Sequence, residues 1–79
     1  MILPSARKRG YSDQDLLHAV AHPVYRFVQD DGMTMHVGPD GAGNLMEVGT
    51  IILRDGRVAI ARAMRPPRPK FLPTKTDAR

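Results

Sequence analysis

Three glycine-containing turn signals, Asp31-Gly32, the stretch 38–44 and Asp55-Gly56, cut the second two-thirds of the chain into short runs rich in β-branched and aromatic residues. An Asp-Gly pair between such runs favours a hairpin, because its glycine takes the left-handed backbone that a tight reversal needs. The runs 24–29, 33–37, 45–53 and 58–64 therefore read as four antiparallel strands in sequential order. Within the second run, Met33, Met35 and Val37 fall on one face and Thr34 and His36 on the other.

A helix precedes the strands. Ser12 can cap it, since its hydroxyl can accept from a free N–H of the first turn, and Asp15 stands three residues on, where a capping box places an acid. Tyr11 and Leu16 occupy the positions of a hydrophobic staple. Leu16, Leu17, Val20 and Ala21 recur at helical spacing, and Pro23 ends the run by disfavouring the α conformation at His22. The spacing predicts a helix over 13–21, preceded by a helical turn over 5–9. At the other end Pro66, Pro67, Pro69 and Pro73 preclude regular structure. The expectation is one α+β domain over 1–72, a short N-terminal helix on a four-stranded antiparallel sheet, followed by a disordered basic tail over 73–79.

A chain of 79 residues has room for one modest core. It has no cysteine, so no disulfide supports the fold, which favours a reducing cytoplasm. No apolar run approaches the roughly 18 residues of a membrane span, and the charges near the N-terminus follow the apolar residues, unlike a secretory signal.

Charge is unevenly spread. The net charge is +3 over 1–11, −5 over 12–53 and +6 over 54–79. Such asymmetry points to a polyanionic partner if the two basic ends meet in space. The alternative is a solvated surface with two loose basic tails.

A two-residue turn at Asp55-Gly56 would pair Leu53 with Val58, Ile51 with Ile60, Gly49 with Arg62 and Glu47 with Met64. Glu47 and Arg62 would then lie diagonally on one face, able to form an ion pair, with Gly49 leaving space above the strand for Arg62. The pair reads either as a structural salt bridge or as a carboxylate beside a phosphate-binding arginine.

Other constellations are weaker. His18 and His22 stand four apart on the helix, the spacing of a zinc pair, but with no cysteine, and no third ligand evident apart from His36 or an Asp, a metal site is not expected. The glycine-rich loop 38–44 lacks the lysine and helix of a phosphate cradle. Met33, Met35, Met46 and Met64 read as core filler. Ser12 already has a capping role, so no catalytic triad is built on it. The series Arg62, Arg65, Arg68 and Lys70 leaves the last strand on a proline-stiffened path and presents cations in a row, which suits phosphate backbones.

The residues also carry a resemblance. Arg9-Gly10-Tyr11-Ser12 followed by Asp15-Leu16-Leu17-His18-Ala19 resembles the "HG-hydrophobic-S, then E-D-I-x-H-A" opening of small bacterial toxins of the BrnT kind. The run 38–48, Gly-Pro-Asp-Gly-Ala-Gly-Asn-Leu-Met-Glu-Val, is similar to their "G-P-D-x-A-G-N-L-L-E-V" segment. Residues 60–66, Ile-Ala-Arg-Ala-Met-Arg-Pro, are similar to their "V-I-H-A-M-P-x-R" end, with Arg68-Pro69-Lys70-Phe71-Leu72 following. The resemblance covers about residues 6–72. It implies a RelE/ParE-like fold, a toxin–antitoxin operon with a small DNA-binding antitoxin as partner, and RNA cleavage by the toxin. Two positions depart from the pattern: Arg9 stands where it has histidine, and Arg62 stands at the histidine of "H-A-M".

Metal-independent RNA cleavage requires the ribose 2′-OH to attack the adjacent phosphorus, with a proton acceptor, a donor to the leaving 5′-oxygen and stabilisation of the phosphoryl oxygens. On this reading Arg62 and Arg65, with Arg68, stabilise the phosphorane, Glu47 orients Arg62 or accepts a proton, and His18 is the group that titrates near neutrality. Arginine is a poor proton donor, its pKa exceeding about 12, so proton transfer falls to Glu47, His18 or Lys70. Arg7, Lys8, Arg9, Arg68 and Lys70 are the expected phosphate contacts. The alternative is a module that uses the same basic surface without catalysis to bind RNA, the ribosome or an acidic protein. Neither reading calls for a cofactor or a membrane.

Overall fold

The structure, a computed structural model, describes residues 1–69. Lys70 and the expected tail over 73–79 lie outside the described residues.

Helix α1 spans Asp13–Ala21, where the periodicity places it. The Ser12 side chain accepts from the Asp15 N–H at 3.1 Å, and the His22 N–H closes the other end on the His18 carbonyl at 3.0 Å. The turn expected over 5–9 is a 3-10 turn at Pro4–Arg7. Strands β1 (Tyr25–Val28), β2 (Thr34–Pro39), β3 (Leu45–Ile52) and β4 (Val58–Met64) form one antiparallel sheet in the order β1-β2-β3-β4. The α+β architecture is the one the sequence predicts.

The hairpins differ from expectation in one respect. Each is a three-residue loop, with a glycine at its third position: Gly32 (φ 85°), Gly43 (φ 92°) and Gly56 (φ 88°). The Gly56 N–H donates to the Leu53 carbonyl and the Leu53 N–H to the Arg57 carbonyl, so Leu53 pairs with Arg57, not with Val58. This is the type I turn with a left-handed glycine closing it. Asp31 and Asp55 precede two of these glycines, and each accepts from the N–H two residues on. Asp-Gly thus fills the last two places of a longer loop.

That extra loop residue shifts the β3–β4 register, pairing Ile52 with Val58 and Thr50 with Ile60. A bulge at Ala61 then restores the expected pairing of Gly49 with Arg62 and Glu47 with Met64. A one-residue shift turns side chains to the opposite face. Ile60 therefore joins the core under α1, and does not share a face with Ile51 as the simple turn implied.

The core between α1 and the sheet holds Leu16, Ala19, Met46, Val48, Ile60 and Ala63, with Ala6 from the 3-10 turn. Met35 and Val37 pack on the opposite face with Tyr25, Phe27 and Met33. A Cβ on Gly38 would stand 2.5 Å from the Ala19 carbonyl oxygen and 2.9 Å from that of His22, so glycine lets the end of α1 sit directly on β2. The N-terminal residues run parallel to β4 and cover part of its edge: the Leu3 N–H donates to the Ile60 carbonyl, and the Ile60 N–H to that of Met1, both at 2.8 Å. No helix among the described residues is long and apolar enough to cross a membrane.

Candidate phosphate-binding groove

Two segments far apart in sequence meet at the β4 bulge. The Ser5 hydroxyl donates to the Ala61 carbonyl at 2.6 Å, which ties the 3-10 turn to the bulged residue. Bulges redirect the side chains beside them. Here Arg62 comes to line an open groove of about 350 Å³ together with Lys8 and Arg9, with Met33 and Met64 as apolar wall. Among the described residues, none of these three cations forms a salt bridge and no acid lines the groove. Two cations of the N-terminal basic stretch and one of the C-terminal stretch, Arg62, thus share one groove.

The other expected cations among the described residues are engaged internally. Arg7 pairs with Asp13. Arg68 holds Glu47, whose carboxylate is fully buried on the sheet face away from α1. Its backbone N–H donates to Oε1 at 2.7 Å, and its guanidinium reaches both oxygens at 3.0–3.2 Å. Glu47 and Arg62 are diagonal neighbours, as the register predicts, but the carboxylate is bound by Arg68, not Arg62. The space over Gly49 is also not open to Arg62, because the Met33 and Met35 side chains fill it. Burial, and after it the Glu47 carboxylate, push the Tyr25 phenol above its ordinary value of 10.0.

Arg65 lies on the α1 side. Its Nη1 donates to Asp40 Oδ2 at 2.6 Å and stands 3.7 Å from Asp15, while its guanidinium rests 5.0 Å from the centre of the Tyr11 ring. Its backbone N–H donates to the Tyr11 hydroxyl at 2.9 Å. Asp40 Oδ1 accepts the N–H groups of Ala42 and Asn44, both at 2.9 Å. The Asn44 N–H foremost, with Ala42 and Arg65, holds the Asp40 carboxyl below the usual aspartate value against the opposing effect of burial. His18 donates from Nδ1 to the Pro39 carbonyl at 2.8 Å and stacks on His22 at 4.4 Å. The four residues assigned to the reaction thus occupy three places: Arg62 in the groove, Glu47 under Arg68, and Arg65 and His18 around the loop that starts at Asp40. Among the described residues, no group of three histidine or carboxylate side chains could hold a metal ion.

Two participants were not singled out from the sequence. Ser5 carries no local signal, since its partner lies 56 residues away. Asp40 opens a glycine-rich loop, where a side chain that caps its own loop is common, and that position could have revealed it.

Comparison of the chain with protein-family models, with curated proteins and with solved structures finds no match.

Proposed function

We propose that this chain is an RNA-binding protein of the BrnT-like toxin kind, working as one half of a toxin–antitoxin pair, and that it grips the RNA phosphate backbone with Lys8, Arg9 and Arg62. One observation carries the reading: cations from residues 8–9 and from β4 line a single groove without a neutralising acid among the described residues. Arginine's fork matches phosphate oxygens, and the lysine adds a point charge that tolerates a moving backbone. Met33 and Met64 add an apolar, polarisable wall against which a base can rest. The cognate antitoxin, on this reading, is a small DNA-binding protein whose acidic segment competes for the same cations.

The groove supplies charge stabilisation for a phosphorane. Among the described residues it contains no histidine or carboxylate to move a proton. Binding is therefore the activity its geometry supports best, and cleavage is the stronger claim. Arg62→His separates the two. If proton transfer at that position is what cleavage lacks, the variant cuts a labelled RNA with a pH dependence near neutrality, while the unmodified chain binds the same RNA without cutting it. Expression of the chain alone is expected to slow bacterial growth, with relief on coexpression of the antitoxin. Unimpaired growth together with absent RNA binding contradicts the proposal.

A further inference from the structure

The groove of Lys8, Arg9 and Arg62 concentrates charge instead of spreading it. Its volume of about 350 Å³ lies near the lower end for ligand pockets, which run from about 300 to 1,000 Å³, and suits a single nucleotide. A protein that holds a strand at any point along its length lays cations along a path of about four or more nucleotides. Here the cations that flank the three in sequence do not lengthen the groove. Arg7 pairs with Asp13, Arg65 with Asp40 at 2.6 Å, and Arg68 with Glu47 at 3.0 Å. Among the described residues, three cations without a salt bridge thus face one small cavity.

We infer that the groove takes a terminal nucleotide bearing a phosphomonoester, as at a phosphorylated RNA end, in preference to an internal stretch of backbone. The inference rests on the groove cations proposed above as phosphate ligands and specifies what they hold. An internal phosphodiester brings one negative charge to the cavity. A phosphomonoester brings about 1.5 to 2 at neutral pH, because its second ionisation lies at about pH 6. With the adjoining phosphodiester, a phosphorylated end presents about three charges to the three cations. The end nucleotide also has one base face without a stacking neighbour. That face can rest on the thioethers of Met33 and Met64, which wall the groove.

Fluorescence anisotropy on the full chain tests this with one short RNA, labelled on an internal base and made with a phosphate at the 5′ end, at the 3′ end or at neither. One phosphorylated form is expected to bind about tenfold tighter than the form with two hydroxyl ends, the gain of one further charge-assisted hydrogen bond. The form that gains identifies the end that is held. A nucleoside monophosphate is expected to displace that RNA, and the corresponding nucleoside is not. Arg62→Ala is expected to remove most of the gain, whereas Arg57→Ala, at a hairpin tip, leaves it intact. Lys8→Ala, at an exposed position, repeats the test if Arg62→Ala loses its circular-dichroism spectrum. Equal affinity for the three RNAs overturns the inference and leaves RNA binding by the groove in place. A preference that survives in both variants also overturns it, because the phosphate is then held elsewhere. Binding of the mononucleotide but of none of the RNAs supports the phosphomonoester site and contradicts the RNA-binding reading. A chain that binds none of these ligands overturns both.

Discussion

The guanidinium and backbone N–H of Arg68 together enclose the carboxylate of Glu47, which has no exposure to solvent. This contact fastens the segment after β4 onto the sheet face away from α1. A buried pair contributes modestly as a whole, but losing one partner leaves a charge in a poor solvent. Arg68→Ala is expected to destabilise the fold by about 3 kcal/mol, whereas the double change Glu47→Leu with Arg68→Met costs much less. Urea denaturation of the three proteins checks the ordering. Equal losses in the single and double variants contradict it.

The Asp40 carboxylate contributes to stability in acid. Its folded pKa lies below the ordinary 3.8, so below that value the unfolded chain binds the proton more readily than the folded one. Its contribution is complete above pH 3.8 and disappears as pH falls through the lower folded value. Asp40→Asn is expected to be less stable at neutral pH and to lose less further stability on acidification. Thermal melting between pH 7 and pH 2.5 shows this as converging curves.

His36 adds a second, higher window. It is 6% exposed, with Nε2 3.1 Å from Thr50 Oγ1 and Nδ1 without a partner among the described residues. Burial, and after it Arg26, push its pKa below the ordinary 6.5. The neutral ring is the folded form, so stability is full above pH 6.5 and falls as pH drops from there towards the lower folded value. His36→Gln is expected to flatten the melting temperature across this window. In the unmodified protein the His36 ring resonances are expected to titrate below those of a free histidine.

Gly38 has no room for a methyl group, because the atoms in its way are the backbone carbonyls of Ala19 and His22. Gly38→Ala must lift the end of α1, and is expected to cost about 1–3 kcal/mol, the range for overpacking. Gly43→Ala has open space but a left-handed backbone, so its cost is conformational and smaller. Comparing the two melting temperatures separates crowding from strain.

The helix and the strand order were legible because capping, helical spacing and glycine turns are local signals. Ser12, Pro23 and the Asp-Gly pairs each act over four residues or fewer. The β3–β4 register was legible only in part. The longer loop and the Ala61 bulge offset each other, so Glu47 and Arg62 came out correctly placed while Ile60 did not. The site was less legible because ion-pair choice is a tertiary matter. Sequence adjacency on the sheet favoured Arg62 for Glu47, yet Met33 and Met35 occupy the intervening space and the chain beyond β4 returns with Arg68. Lys8 and Arg9 were visible as charges, but their meeting with Arg62 depends on the N-terminal segment pairing with β4.

The salt dependence of RNA binding tests the central claim most directly. Each phosphate neutralised on a single strand contributes about 0.7 to the slope of log affinity against log salt. Three groove cations predict a slope near −2 for a short fluorescent single-stranded RNA followed by anisotropy. Replacing Lys8, Arg9 or Arg62 singly by alanine is expected to weaken binding and to reduce the slope by about 0.7. Replacing Arg57, which pairs with Asp55 at a hairpin tip, is expected to leave both unchanged. A slope near zero, or groove variants that bind like the unmodified protein, would contradict the account.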